Sequence, residues 1–283
     1  MKRFFLLPVM LLFCSVSLVA QDCYRFSFLQ MQKKSTADKN FRVYEMSLDF
    51  DGKTSFFYSE ASYKRDSLNV IAFDRSGEIA NEEAYGERIR LAPTTDDKSI
   101  IDFSNSTMRQ FYNPMAFFEG SMPLELPQWA ETGEEEDQSG YRCKLAKGTY
   151  LGREWTIWFT EEIPVNIGPW FLWGAPGLIV YAKDSDNVLQ FRLLGVEKVE
   201  KSRVDNYLSY MGIRESRPSA KVYSMPMKEM ETMHTRYMRD VTYYNKIHGV
   251  VDSYMLDRNG NRIEEPMTKP YLPYIADGYW KDK

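Results

Sequence analysis

Histidine is almost absent from this chain, with two residues in 283, and cysteine is nearly as scarce, with three. That scarcity narrows the chemistry on offer. A histidine-based triad has little to draw on, and neither His234 nor His248 lies in a recognisable motif. No nucleophile stands beside a base, and no carboxylate pair has the layout of a general acid and base. Asp49 and Asp51 flank a hairpin, where their role is turn chemistry. The chain therefore reads as non-enzymatic, with no cofactor, and a hydrolase with an unfamiliar site is the weaker alternative. Long apolar runs are missing as well. The longest, Phe4 to Phe13, is too short for a bilayer core of ~30 Å, which takes about 20 helical residues. No Pro/Ser/Gly linker and no repeat of fixed period divides the chain, so one domain is expected over residues 21–283.

The short apolar run has a different use. Lys2 and Arg3 precede it and small residues from Ser15 to Ala20 follow, which is the layout of a secretory signal peptide over residues 1–20. Cleavage after Ala20 is expected, and with it export to the periplasm, the cell envelope or beyond. A lipid anchor would need small residues before a cysteine, but Phe13 precedes Cys14 and Asp22 precedes Cys23. Without Lys2 and Arg3 the 36 basic residues become 34 against 40 acidic ones, a net charge of −6 that argues against nucleic acid as a partner. The run Glu131 and Glu134 to Asp137 is expected as a solvated loop. Cys14 leaves with the signal. Cys23 and Cys143 remain, and an oxidising compartment invites them to pair. Such a bridge would close about 120 residues and contribute roughly 4–5 kcal/mol. Two separate buried thiols are the alternative.

With 19 Tyr, 17 Phe and 6 Trp, the composition favours pleated surfaces over helix bundles. Alternation predicts strands over Cys23 to Gln32, Arg42 to Asp49 and Thr54 to Tyr58, the last two joined at Asp51-Gly52. On the second strand, Val43, Glu45, Ser47 and Asp49 oppose Tyr44, Met46, Leu48 and Phe50. Ser59 to Asp97 is weakly patterned, with a short helix over Ala80 to Tyr85 and a loop at Pro93. Tyr141 to Tyr150, Glu154 to Thr160, Gly177 to Lys183 and Val188 to Val196 predict a four-stranded antiparallel meander. Its last turn, Asp184 to Asn187, suits positive φ at Asn187.

The C-terminal quarter changes period. Met227, Met230, Met233, His234, Tyr237, Met238 and Val241 share one arc of an amphipathic helix, with Lys228, Glu229, Glu231, Thr232, Thr235, Arg236, Arg239 and Asp240 on the remainder. Ser224 is the expected cap and Pro226 the first turn. A small hairpin follows around Asn259-Gly260, between Val250 to Leu256 and Arg262 to Glu264. The final stretch, with Pro266, Pro270 and Pro273, is expected to run extended over the domain. The whole is expected to be mainly β: a curved antiparallel meander or half-barrel with the C-terminal helix packed on it.

Between the meander strands, Gly168-Pro169-Trp170 and Gly174-Ala175-Pro176-Gly177-Leu178-Ile179 concentrate turn formers and anchors. Pro176 and Gly177 suit a type II turn with positive φ at Gly177, and Trp170 and Trp173 offer large surfaces with indole donors. Here the chain resembles the GLPGLI family of exported bacterial proteins common in the Bacteroidetes, a Porphyromonas-type family of unknown function. Ala175 stands where the family usually has leucine. Gly140-Tyr-Arg-Cys-Lys-Leu-Ala146, Gly152-Arg-Glu-Trp155, and Tyr44 to Leu48 followed by Ser55 to Ser59, are similar too, so the likeness covers most of residues 24–200. It implies export and a β domain, and it supplies no catalytic residue.

The remaining readings concern binding. An aromatic sheet face under a Met-lined helix could hold an apolar ligand or peptide, with Trp170, Trp173, Met227, Met230, Met233, His234, Tyr237 and Met238 as its candidate lining. A scaffold for an envelope protein is the related possibility. A soft-metal site is the sharper alternative, since Met230, Met233 and His234, with Met225, Met227 and Met238 nearby, could offer thioethers and an imidazole to Cu(I). Tyr237 and Val241 continue the same stripe and are not ligands, so packing is the preferred reading. An open apolar pocket beneath the helix would favour a carrier; a filled seam would favour a scaffold.

Overall fold

Alternating apolar residues build β1 (Cys23–Gln32), β2 (Arg42–Phe50) and β3 (Thr54–Ser59), paired antiparallel in order. The β2–β3 turn carries Gly52 at φ 83°, and the Asp51 carboxylate accepts from the N–H groups of Lys53 and Thr54 at 2.9 and 2.7 Å. The computed structural model describes residues 22–91, 95, 97–112, 117–215, 222–240, 255–256, 259, 261–263 and 273–281. The expected signal segment with Cys14, together with Pro93, Val241, His248, Pro266 and Pro270, lies outside these.

Two helices occupy the weakly patterned stretch, α1 (Glu60–Ala72) and α2 (Glu82–Arg90), rather than one short helix at Ala80. Their caps explain the boundaries: the Ser59 hydroxyl accepts from the Ser62 N–H, and the Asn81 side chain accepts from the Ala84 N–H. Then come β4 (Lys98–Asp102), β5 (Thr107–Tyr112), β6 (Phe117–Pro123), β7 (Ala130–Gln138), β8 (Tyr141–Tyr150), β9 (Arg153–Thr160), β10 (Leu178–Asp184) and β11 (Leu189–Val199). They are followed by α3 (Val204–Glu215), β12 (Val222–Pro226), α4 (Met227–Arg239), β13 (Met255–Leu256), β14 (Arg262–Ile263) and a 3-10 turn over Asp277–Trp280.

Twelve strands form one open sheet in the order β12-β6-β5-β4-β3-β2-β1-β11-β10-β9-β8-β7. The expected meander is there as β8 to β11, with Asn187 at φ 55° in its last turn. The sheet is mixed rather than wholly antiparallel, because β12 runs parallel to β6. The antiparallel β13–β14 pair is the described part of the small expected hairpin, whose residues 250–254 and 264 lie outside the described ones. The acidic run is not a loop: it is β7, an exposed edge strand whose Glu135 and Asp137 pair with Arg142 of β8. Charge on an edge strand leaves the backbone ladder intact while discouraging misplaced strands.

Strand parity gives the sheet two faces with separate cores. Phe26, Phe28, Leu48, Phe57, Ile101, Met108, Ile157 and Phe191 point to the inner face, which α4 and the C-terminal tail cover. Phe56, Tyr58, Ile100, Phe111 and Phe117 point to the outer face, which α3 covers with Tyr207 and Met211. This double covering explains why Ser47 and Asp49 of β2 are as buried as Met46 and Leu48. Aliphatic patterning had marked only one buried face on that strand.

Cys23 and Cys143 do not form the expected bridge; both are buried free thiols. Strands β11, β10 and β9 stand between β1 and β8 in the sheet. Neighbouring strands are ~4.8 Å apart, whereas a disulfide needs Cα atoms roughly 4.4–6.8 Å from each other. Burial pushes each thiol up to about 11.

Candidate functional site

Beyond the end of β3, where the chain turns away into α1, the inner face changes from apolar to polar. Gln30 and Gln32 continue the inward row of Phe26 and Phe28 on β1, and Gln110 and Tyr112 continue that of Met108 on β5. Gln110 Nε2 donates to the Tyr112 hydroxyl at 2.7 Å, and that hydroxyl donates to Glu231 Oε1 of α4 at 3.1 Å. Glu231 is only 2% exposed. Burial raises its carboxyl to about 8, the Tyr112 bond opposing and the charge of Asp97 adding to the rise. His234, one turn further along α4, lies flat on Tyr112 with ring centroids 3.7 Å apart. Burial pulls its imidazole down to about 3, so the ring is neutral at physiological pH.

The C-terminal tail completes the cluster. The Tyr274 hydroxyl accepts from Gln30 Nε2 at 2.7 Å and lies 2.6 Å from Gln32 Oε1, with the Asp97 carboxyl as a further partner. Burial raises the Asp97 carboxyl, while the hydroxyls of Thr95 and Tyr274 that donate to it oppose the rise. Arg153 of β9 donates to the Tyr274 carbonyl at 2.6 Å and to the Pro273 carbonyl, and is held by Asp184 at 2.6 Å. The lining is thus polar, with one buried ion pair, Arg153–Asp184, in it. It suits recognition of a hydroxyl and of main-chain carbonyls.

The sequence-predicted residues divide between this place and others. Met227, Met230 and His234 do line the inner side of α4, while Met233, Tyr237 and Met238 are half-buried. Met230 and Met227 pack on Gly120 of β6, where an added Cβ would lie 2.5 Å from Met230 Cε and 3.0 Å from Met227 Sδ. Glu231 and Thr235 were expected on the solvent side, and both are buried. The arc beneath α4 is wider than its apolar stripe because the polar end of the sheet meets it. No group of three or more His, Cys, Asp or Glu placed to hold a metal occurs among the described residues. Ser224 does not cap α4: β12 runs straight into the helix with Pro226 as its N-cap, and the Ser224 hydroxyl donates to Glu119 at 3.4 Å.

Trp170 is 2% exposed and sets its ring edge-on to Tyr274 at 5.9 Å, so it walls the cluster. Trp173 faces elsewhere, donating to the Glu125 carbonyl at 3.0 Å and lying edge-on to Phe103. The turn between them also differs from expectation. Positive φ falls on Trp170 at 57° and Gly174 at 82°, not on Gly177. Gly177 is needed for closeness instead: a Cβ there would lie 2.0 Å from the Thr160 carbonyl oxygen. Gly168 is likewise confined, with Ile179 Cβ 2.7 Å from a would-be Cβ. Ala175 is buried in the inner core beside them. The tail, expected to run extended over the domain, buries Tyr274 and Ile275 and then turns through Asp277–Trp280. Gln30, Gln110, Asp97, Arg153 and Tyr274 carried no local signal, because what unites them is sheet order.

A depression of about 430 Å³ lies along β8 and β9, lined by Lys147, Gly148, Thr149, Glu154, Trp155, Thr156 and Ser185. None of these residues belongs to α4 or the tail. No described helix is long and apolar enough to cross a membrane.

Residues 124–181, running from the end of β6 into β10 and including the glycine-proline motif, match a family described as a protein of unknown function (Porph_ging). No curated protein matches the chain. Two crystal forms of PNGF-II, in space groups P21 and C2, align with 75% and 74% of this chain at 13% and 14% identity, with TM-scores of 0.46 and 0.45. The chain spans about a third of PNGF-II, 33% and 32% of its length in the two forms.

Proposed function

We propose that this protein is an exported, non-enzymatic docking module of the cell envelope, of the GLPGLI type, that holds another protein rather than carrying an apolar ligand. The observation that supports this is the seam beneath α4. Met227 and Met230 fill it against Gly120, with Met230 fully buried, so the place where a lipid would sit is occupied by side chains. The open edge at β7, nine exposed or half-exposed residues long, offers an unpaired main-chain row to an extended segment with basic side chains.

Purified mature protein should carry no extractable lipid and leave a fluorescent fatty acid in solution. A photoreactive residue placed at Glu134 on β7 should give one discrete cross-linked adduct in cells, and the trapped protein, once purified, should bind the isolated module. Saturable uptake of the fatty acid would overturn the reading in favour of a carrier.

A further inference from the structure

The tail is held differently from the rest of the core. Its described residues, 273–281, add no strand to the sheet. Its main chain is gripped by Arg153 at the Pro273 and Tyr274 carbonyls and by the Leu151 carbonyl, which accepts from the Ala276 N–H at 3.1 Å. Arg153 is itself aimed by Asp184, and the pair is almost fully buried, with side-chain exposures of 4% and 1%. Gly152 leaves room for the tail to cross, since a Cβ there would lie 3.0 Å from Ala276 Cβ. The Ile275 side chain is fully buried.

Tyr274 is the decisive residue. A tail that merely filled the core would be served by leucine or phenylalanine, yet here a buried hydroxyl meets Gln30, Gln32 and Asp97 at once. Sites built around a ligand hydroxyl look like this, because an analogue that lacks it leaves the buried polar groups unpaired. Past Ala276 the tail's contacts include two exposed polar ones, Arg239 with Asp277 at 2.9 Å and Lys228 donating to the Trp280 carbonyl at 2.9 Å, with Tyr279 and Trp280 partly buried against the core. Exposed pairs of this kind hold weakly.

We propose that the groove formed by Gln30, Gln32, Asp97, Leu151 and Arg153 is a recognition site for an extended partner segment of the form Pro-Tyr-aliphatic-Ala, and that residues 273–276 of the chain occupy it until such a partner displaces them. This rests on the reading of the protein as a docking module. The partner's tyrosine enters the seat of Tyr274, its two carbonyls meet Arg153, and its aliphatic residue replaces Ile275. The groove therefore selects tyrosine over phenylalanine by hydrogen bonding, and its occupancy depends on competition with the tail.

The probe is a fluorescent peptide with the sequence of residues 271–281, titrated into the full chain and into full-chain Tyr274→Ala, in which the resident occupant is weakened. The variant should bind the peptide at least about tenfold more tightly than the unaltered chain, because displacement no longer opposes binding. A peptide with phenylalanine in place of the tyrosine that corresponds to Tyr274 should lose about tenfold or more. Should Tyr274→Ala lose cooperative unfolding, Tyr274→Phe, which keeps the ring, serves in its place with the same expectation. Absence of binding to a folded variant, equal affinity for the two peptides, or equal affinity of variant and unaltered chain would each overturn the proposal. A specific β7 adduct alongside any of those outcomes would sink the groove and leave the docking module standing.

Discussion

The two faces of the sheet solve the burial of polar groups in opposite ways. On the outer face each buried carboxylate meets a cation. Arg25 reaches Asp49 through two bonds of 2.7 and 2.9 Å, with Tyr58 and the Arg203 N–H completing the shell. Lys98, 3% exposed, pairs with Asp66 at 2.9 Å and donates to Ser62 at 2.6 Å. On the inner face Glu231 and Asp97 meet tyrosines and amides, with burial as the main cause raising both carboxyls. Charge pairing fastens helices to the outer face. Neutral hydrogen bonds and close backbone contact dominate the inner one, where the buried Arg153–Asp184 pair meets the tail only at main-chain carbonyls. Paired charges resist exchange, since parting them strands a buried ion, whereas neutral polar groups can be matched again by a ligand. That contrast makes the inner face the better candidate for recognition.

The comparison can be broken most severely at the inner wall. Gly177→Val would drive a side chain into the Thr160 carbonyl, 2.0 Å from the Cβ position, and soluble folded protein should be lost. Ala175→Leu overpacks the same core and should cost about 1–3 kcal/mol in a denaturant titration. Comparable stability of the two variants would discredit the close-approach account of Gly177. Next in size is Lys98→Met on the outer face, which leaves Asp66 buried without its cation and should cost about 3–5 kcal/mol.

Acidity separates the faces further. The folded-state carboxyl of Glu231 is raised from 4.5 to about 8, so its contribution is full below pH 4.5 and is lost as pH rises through 8. The loss is on the order of 5 kcal/mol at most. His234 is lowered from 6.5 to about 3, so its contribution is full above 6.5 and is lost as pH falls towards 3. Together they place the best stability between about pH 4.5 and 6.5. Glu231→Gln should leave stability at pH 5.5 within about 1 kcal/mol and remove most of the decline towards pH 8.5. A decline that persists unchanged in the variant would assign it to other groups. The smallest effects concern caps: Asn81→Ala should cost about 1 kcal/mol, and Ser224→Ala, which caps nothing, less than about 0.5 kcal/mol.

Local pattern determined a good deal. β1, the β2–β3 hairpin, the meander from β8 to β11, positive φ at Asn187 and the amphipathic α4 all follow from period and turn chemistry, which act over a few residues. The glycine-proline motif was legible as a special segment, though its glycines answer to neighbouring backbone rather than to φ at Gly177. The acidic β7 was not legible, because an edge strand exposed on both sides has no apolar alternation to display. Glu231 was missed for a related reason: a helical wheel assigns charge to solvent and cannot see a polar patch on the surface opposite.

By itself the sequence determined β1 to β3, the meander from β8 to β11, the helix over Met227–Arg239, and the scarcity of reactive side chains. Only the tertiary structure decided that β12 pairs parallel to β6, that Cys23 and Cys143 stay apart, and that Gln30, Asp97, Tyr112, Glu231 and Tyr274 share one polar site. The physical reason is range. Propensity and period are settled between residues a few positions apart, whereas burial and hydrogen bonding among residues some 30 to 240 positions apart exist only once the sheet has set its strand order.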